Sequence, residues 1–309
     1  GNAVTTLGEH SAVNNTFLEL KQNGYDARFA AINKDGSVNI DNLLSLVDKN
    51  TAFVSVVHVN NETGAINDIN AIAKKVKEIA PRAVFHSDGV QAFLKIPFKP
   101  SEYIDLYSAS AHKINAIKGV GAIFKNKKLN TLKPLIVGGG QESGKRAGTE
   151  NTPGIVGLAR ALSLAVAERE EHCKRMAALR DRFIEQVEAR IPYIRLNGSR
   201  DRRLPTNANF SFRFIEGESL LLMLDLKGIA ASSGSACTSG SLDPSHVLLA
   251  IGLTHEVAHG SLRVTFGEDN TMEDVEAIVA ALEEVVPKLR QMSPLYEEFE
   301  KGGKVDAVQ

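Results

Sequence analysis

Apolar and polar positions alternate along the first half of the chain in the rhythm of strands and helices. Residues 52–57 form a short apolar run that predicts a buried strand. Across 67–80, apolar residues recur three or four positions apart, which predicts a helix capped by Asn67 or Asp68. A second strand is predicted at 83–86. Strand, helix and strand in this order predict a βαβ unit with a right-handed crossover.

Further apolar runs extend this alternation toward the middle of the chain. They predict strands near 104–108, 120–124 and 134–137. A repeated exchange of strands and helices is typical of an α/β domain with a mostly parallel sheet.

The second half of the chain has a different pattern. Residues 153–191 predict one long helical region, in which Cys173 shares an apolar face with Met176 and is therefore expected in the core. The elements predicted after it are a strand at 207–214, a helix at 216–225, strands at 228–232 and 261–266, and a helix at 272–290 that a capping box at Thr271–Asp274 opens. We therefore predict a large domain at 1–169 and a smaller α+β domain at 170–309.

Composition narrows the classes of protein that this pattern permits. Apolar residues make up 43% of the 309 positions and charged residues 24%, as in globular proteins. A net charge of -1 excludes a strongly basic nucleic-acid binder, and no apolar run approaches the ~20 residues that span a bilayer. Two cysteines form no disulfide framework and suit a reducing compartment. We therefore expect a cytoplasmic protein with neither nucleic-acid nor membrane partners.

Three polar residues follow predicted strands at the edge where parallel sheets bind ligands. Asn61 follows the strand at 52–57, Asp88 the strand at 83–86, and Lys113 the strand near 104–108. A lysine can form a Schiff base with an aldehyde cofactor, and a carboxylate can keep a pyridine nitrogen protonated. These are the minimal requirements for pyridoxal phosphate. The residues alone also fit a solvated lysine and an aspartate that caps a turn.

Other segments carry weaker signals. Cys237 lies among small polar residues and glycines, which predicts an exposed loop, so its thiol is either reactive or a bystander. The glycine-rich segment 138–144 departs from the dinucleotide-binding spacing at Ser143. The histidines and cysteines show no metal-ligand spacing, so we expect no metal site.

Eight segments, taken together and in order, resemble the cysteine desulfurases of the NifS/IscS type. These proteins are fold-type I pyridoxal phosphate enzymes of aminotransferase class V. The segments are 9–13 (Glu-His-Ser-Ala-Val), 59–64 (Val-Asn-Asn-Glu-Thr-Gly), 86–91 (His-Ser-Asp-Gly-Val-Gln), 110–113 (Ser-Ala-His-Lys), 138–142 (Gly-Gly-Gly-Gln-Glu), 146–151 (Arg-Ala-Gly-Thr-Glu-Asn), 233–239 (Ser-Gly-Ser-Ala-Cys-Thr-Ser) and 261–263 (Ser-Leu-Arg).

The resemblance implies a role for each matching cofactor residue. Lys113 would hold pyridoxal phosphate covalently and later move protons at the substrate's α-carbon, while Asp88 would pair with the ring nitrogen. His10 would stack on the ring and act as an acid or base. The remaining implied contacts are Gln91 and Asn61 near the ring hydroxyl and substrate, and Ser110, His112 and a second subunit's Thr149 at the phosphate.

The resemblance also implies the substrate and the reaction. Arg263 would bind the carboxylate of L-cysteine with its bidentate fork. Cys237 would attack the substrate's sulfur, keep it as a persulfide and release L-alanine. The implied partners are a second copy of the chain in a homodimer and a sulfur-acceptor or scaffold protein, in iron–sulfur cluster assembly, tRNA thiolation or cofactor synthesis.

Departures from the family pattern leave other functions open. Lys113 is followed by Ile114 and Asn115 where the family usually has an aromatic residue and then Gly-Pro-Lys-Gly. The chain also begins just before His10, so we expect it to lack the family's opening segment and the phosphate-binding turn there. A non-catalytic homologue that keeps the dimer fold, or another class V enzyme such as a selenocysteine lyase, remains an alternative.

Overall fold

The computed structural model describes residues 1–130, 132–234 and 244–302, which form two sheets packed with helices. The elements of the first half are β1 (Asn2–Thr6), α1 (Ser11–Gln22), β2 (Asp26–Ala30), α2 (Ile40–Leu46), β3 (Thr51–Ser55), α3 (Ile69–Ile79), β4 (Val84–Asp88), β5 (Leu106–Ser110), β6 (Gly121–Lys125) and the single turn α4 (Gln141–Gly144). Those of the second half are α5 (Thr152–Arg190), β7 (Ile194–Leu196), β8 (Asn207–Phe212), α6 (Gly217–Asp225), α7 (His246–Ala250), α8 (His255–His259), β9 (Ser261–Thr265), α9 (Met272–Gln291) and α10 (Pro294–Glu300).

The large sheet has the strand order β2-β1-β3-β4-β5-β6. All neighbouring strands run parallel except β6, which pairs antiparallel with β5. The prediction of a mostly parallel sheet is therefore confirmed. Because β3, β4 and β5 are adjacent, the residues that follow their carboxyl ends meet at one edge of the sheet.

The predicted βαβ unit is present as β3, α3 and β4. The side chain of Asp68 accepts a hydrogen bond from Ala71 N at 3.1 Å, so Asp68 is the cap of α3. Ile72 and Val76 lie on its buried face and pack in the core beneath the sheet, where Phe85 of β4 is also buried.

The small sheet has the order β7-β8-β9 and is antiparallel throughout. Its core includes Phe183 of α5, Phe210 of β8 and Leu282 of α9. The predicted capping box is confirmed. The Thr271 hydroxyl accepts a hydrogen bond from Asp274 N, and the Asp274 carboxylate accepts one from Thr271 N. Helix α5 runs without a break through residue 170, and the division into domains at that position stays a prediction.

Two predicted strands and one predicted core residue are wrong. Residues 134–137 form no strand, and Leu135 is 98% exposed there, so the apolar run has no buried face to pack. Residues 228–232 contribute only an isolated bridge from Ser232 to Arg263. Cys173 is half-buried, and its thiol donates to the carbonyl of Lys95 at 3.1 Å.

Candidate active site

One pocket of about 320 Å³ opens at the edge where β3, β4 and β5 end. Eight of the side chains predicted for the site line it, namely His10, Asn61, Asp88, Gln91, Ser110, His112, Lys113 and Arg263. Ala12, Val57, Val59 and Val90 supply apolar walls. The sequence predicted that Asn61, Asp88 and Lys113 meet at one edge, and all three line this pocket, whereas the roles of the eight residues stay predictions.

Asp88 ends β4 and is 9% exposed. One carboxylate oxygen, Oδ1, accepts a hydrogen bond from Val90 N at 2.9 Å. The next residue is Gly89, where an added Cβ would lie 1.9 Å from Cζ of Tyr107, so no larger residue fits. A buried carboxylate beside apolar walls favours a cationic partner, and a protonated pyridine nitrogen has the required charge.

Lys113 lies in a short 3-10 helix, Ala111–Ile114, that follows β5. Ala111 and Ile114 are buried and anchor this turn, while the Lys113 side chain is exposed at the pocket. Asn115 ends the turn with a left-handed φ of 62°, a conformation that asparagine tolerates better than most residues. The local sequence thus directs an amine into the pocket from a fixed backbone.

Ser110 and His112 form a pair beside this amine. The Ser110 hydroxyl and His112 Nδ1 are 2.8 Å apart. Desolvation, and next the charge of Lys113, lowers the pKa of His112. A neutral imidazole and a hydroxyl can both donate to an anionic oxygen.

Asn61 and Arg263 come from different sheets and meet through a backbone contact. Arg263 lies on β9, and its Nη1 donates to the carbonyl of Asn61 at 2.9 Å. The side-chain oxygen of Asn61 is buried and has no hydrogen-bond partner among residues 1–130, 132–234 and 244–302. Because a buried acceptor without a partner is costly, this oxygen favours a ligand that donates a hydrogen bond.

His10 lies between β1 and α1 and contributes to both the fold and the pocket. Its Nδ1 accepts a hydrogen bond from Ala12 N at 3.1 Å and so caps α1. A ring nitrogen that accepts carries no proton, so in the neutral imidazole the proton is on Nε2.

Glu9, directly before His10, is fully buried, and burial raises its pKa to about 8. Its Oε1 accepts hydrogen bonds from the Thr6 hydroxyl and Val57 N, both at 2.8 Å. At neutral pH this carboxyl is therefore mostly protonated.

Thr149 is exposed and does not line this pocket, and its predicted role was in the site of a second subunit. Cys237 lies outside the described residues. The structure adds Lys95, whose Nζ donates to Oε1 of Gln91 at 2.9 Å and which sequence reasoning missed. The four-residue spacing from Gln91 to Lys95 is the signal that could have revealed it.

The donor set of the pocket fits pyridoxal phosphate. The amine of Lys113 matches its aldehyde, the buried carboxylate of Asp88 matches its ring nitrogen, and the imidazole of His10 matches its aromatic face. The side-chain oxygen of Asn61, which has no partner among the described residues, can accept a hydrogen bond from a ligand. Within the described ranges, His, Cys, Asp and Glu side chains form no group of three or more that could hold a metal ion.

The fold and this site define a class V aminotransferase-type enzyme. The family model described as aminotransferase class-V matches residues 1–278, and the chain belongs to this pyridoxal phosphate-dependent family. The curated relatives include a cysteine desulfurase IscS of Clostridium botulinum strain Hall, which is 46% identical over 301 residues, 96% of this chain and 75% of the relative. A cysteine desulfurase IscS of Dictyoglomus turgidum is 44% identical over 297 residues, again 96% of this chain and 75% of the relative.

Solved structures agree with this assignment. A NifS-like protein superposes with a TM-score of 0.85 at 34% identity, and covers 93% of this chain and 75% of its own. A NifS-like protein of Rickettsia africae gives 0.83 at 28% identity, with 93% and 76% covered. The chain therefore has the fold-type I architecture. No helix in the described part of the chain is long and apolar enough to cross a membrane.

Proposed function

We propose that this chain is a cysteine desulfurase that converts L-cysteine to L-alanine and holds the sulfur as a persulfide on Cys237. The observation that carries the proposal is the convergence of Lys113, Asp88 and Arg263 on one pocket. The curated relatives that are named cysteine desulfurases support it.

Lys113 and Asp88 hold the cofactor in this proposal. Bound pyridoxal phosphate supplies an electron sink for charge that develops at the substrate's α-carbon. Lys113 Nζ provides the covalent attachment, and the Asp88 carboxylate keeps the ring nitrogen protonated. The side chains of Asn61 and Gln91 would lie near the ring hydroxyl, whereas Ser110, His112 and a second subunit's Thr149 would bind the phosphate.

Arg263 and His10 act on the substrate. Arg263 binds the carboxylate of L-cysteine through a bidentate pair of hydrogen bonds. Lys113 would move the α-proton of the substrate, and His10 Nε2 would exchange a proton with it. Val57, Val59 and Val90 place apolar side chains beside these groups.

Cys237 receives the sulfur. Its thiolate attacks the sulfur of L-cysteine, so a sulfur–sulfur bond forms while the carbon–sulfur bond breaks. The electron pair of the broken bond stays with carbon, which takes a proton and becomes the methyl group of alanine. A thiol of a sulfur-acceptor protein then removes the terminal sulfur, and we propose that this exchange takes place in the cytoplasm.

A homodimer completes the proposal. Large apolar side chains are exposed on the first half of α5, on β6 and at 135–137, among them Val156, Phe124 and Leu135. Large exposed apolar side chains are typical of an interface between subunits. Thr149 lies three residues before the start of α5 and is therefore close in sequence to that surface. The test is sedimentation: Val156→Asp is expected to give monomers that lack the cofactor's visible absorption.

The main experiment separates cofactor binding from sulfur transfer. We expect the wild-type chain with pyridoxal phosphate to show a visible absorption band. The variant Lys113→Ala should lack this band, and the control Lys127→Ala, at an exposed lysine, should keep it. L-cysteine should then yield alanine, and added thiol reductant should release sulfide. Cys237→Ser should abolish both products, whereas Cys173→Ser should keep them.

Other results would favour the alternatives. Alanine formation that survives Cys237→Ser favours a class V enzyme of another kind, such as a selenocysteine lyase. A folded protein that binds no pyridoxal phosphate favours a non-catalytic homologue. Either result refutes the cysteine desulfurase proposal.

A further inference from the structure

Gln91 lines the proposed cofactor pocket, and its side chain contacts Lys95, four residues later in the sequence. Residues 89–96 form helical turns in which Phe93 N donates to Gly89 O at 2.8 Å and Lys95 N to Ala92 O at 3.0 Å. These turns bring the side chains of Gln91 and Lys95 together, with Lys95 Nζ 2.9 Å from Gln91 Oε1. The contact is therefore a product of local backbone geometry.

One strained residue and one further contact mark the backbone of this lysine. Leu94, directly before it, has a φ of 62°, which non-glycine residues rarely adopt. The carbonyl of Lys95 accepts the thiol of Cys173 from α5 at 3.1 Å. Strained backbone persists only where surrounding structure holds it, and such positions concentrate near functional sites.

The chemistry of lysine decides which end of the Gln91 amide faces the pocket. A lysine ammonium has three donors and no acceptor, so the amide must turn its oxygen toward Lys95. Its nitrogen is then the end left for a ligand in the pocket. Without Lys95, the amide could rotate and present its oxygen instead, which would repel an anionic oxygen of a ligand.

Burial, and next the charge of Lys113, lowers the pKa of Lys95 to about 8. The amine is still mostly protonated at neutral pH, so it remains a donor to Gln91.

We propose that Lys95 is a positioning residue that orients the Gln91 amide so that its NH₂ group donates to the ring hydroxyl oxygen of bound pyridoxal phosphate. This proposal rests on the proposed function for the identity of the cofactor. It does not depend on L-cysteine being the substrate, because the orientation of Gln91 is set before any substrate binds.

A double-mutant cycle on cofactor binding tests the proposal. The equilibrium binding of pyridoxal phosphate is measured by absorption and fluorescence, without substrate, in wild type, Lys95→Met, Gln91→Leu and the double variant. Lys95→Met is expected to weaken binding by about tenfold and to move the visible absorption maximum of the bound cofactor. In the Gln91→Leu background, the same substitution should change neither quantity appreciably.

Controls keep the result specific. Lys99→Met removes an exposed positive charge nearby in sequence and should leave binding and the spectrum unchanged. Circular dichroism and thermal unfolding of each apo variant establish that it is folded. The conservative Lys95→Met change keeps the length of the aliphatic side chain, so the buried volume is nearly preserved.

The outcomes separate this proposal from the proposed function. An equal loss in both Gln91 backgrounds, or no loss with Gln91 present, overturns the role of Lys95. The expected cycle without alanine formation from L-cysteine overturns only the proposed function. A wild-type chain that binds no pyridoxal phosphate overturns both.

Discussion

The buried carboxyl of Glu9 should make the stability of the protein fall as pH rises. Its pKa is raised from 4.5 to about 8, first by desolvation and to a smaller extent by the charge of Asp88. The group is fully buried, and its Oε2 has no hydrogen-bond partner among the described residues. The hydrogen bonds to Oε1 from Thr6 and Val57 lower the pKa but do not offset the desolvation of the charge.

The sign of the effect follows from comparing the folded and unfolded states. Below pH 4.5, Glu9 is protonated in both states and ionisation favours neither. Above that pH the unfolded chain releases the proton while the folded chain keeps it, so unfolding becomes easier. The free energy of unfolding from this group should therefore fall by about 1.4 kcal/mol per pH unit until pH 8. Between pH 5 and pH 7 the loss amounts to about 3 kcal/mol.

The perturbation that tests this reasoning is Glu9→Gln. Glutamine keeps an oxygen that can accept from Thr6 and Val57 and resembles the neutral acid in shape. Urea unfolding of the apo protein at pH 5, 6 and 7 should show a smaller decline with pH in Glu9→Gln than in wild type. The matched control is Glu19→Gln, at an exposed position on α1, which should keep the wild-type slope. Equal slopes in Glu9→Gln and wild type would refute a neutral buried Glu9.

Two further substitutions test the geometry of the pocket. Gly89→Ala should lower the free energy of unfolding by roughly 1–3 kcal/mol, because the added Cβ overlaps the ring of Tyr107. The control Gly140→Ala should not lower it, because an added Cβ there meets nothing within 4 Å. Equal melting temperatures of the two variants would contradict the overlap. Arg263→Lys should raise the KM for L-cysteine by about tenfold or more, because lysine cannot form the bidentate pair of hydrogen bonds. The control Arg202→Lys, at an exposed position, should leave the KM unchanged. An unchanged KM in Arg263→Lys would exclude Arg263 as the carboxylate ligand.

The parts of the fold that follow from the sequence are those with a strong periodic pattern. Helix α3 has an apolar stripe and an aspartate cap, and the residues at the ends of β3, β4 and β5 meet because parallel strands share one edge. The convergence of Asn61, Asp88 and Lys113 could therefore be predicted before any contact was known.

The parts that could not be predicted depend on contacts between distant residues. Strand β1 reads Asn-Ala-Val-Thr-Thr, which is too polar to be distinguished from a loop, yet it is buried between β2 and β3. Conversely, the apolar run at 134–137 resembles a strand and is exposed, since an apolar pattern does not specify what will cover it. The burial of Glu9 likewise comes from the strands around it, to which its own local sequence gives no clue.

The position of Arg263 over the pocket depends on side chains that do not line it. On β8, Asn207 and Asn209 donate through Nδ2 to the carbonyl of Glu62 at 3.2 and 3.1 Å. Asn209 also pairs with Arg263 across the strands, and Arg263 in turn donates to the carbonyl of Asn61. Arg263, the proposed carboxylate ligand, and β8 are thus both hydrogen-bonded to the loop that contains Asn61 and Glu62. Because buried amides that lose a partner are costly, a change in either β8 asparagine should shift this loop and the small sheet relative to each other. Substrate binding would then weaken more than cofactor binding, since Asp88 ends β4 and Lys113 follows β5, both strands of the large sheet.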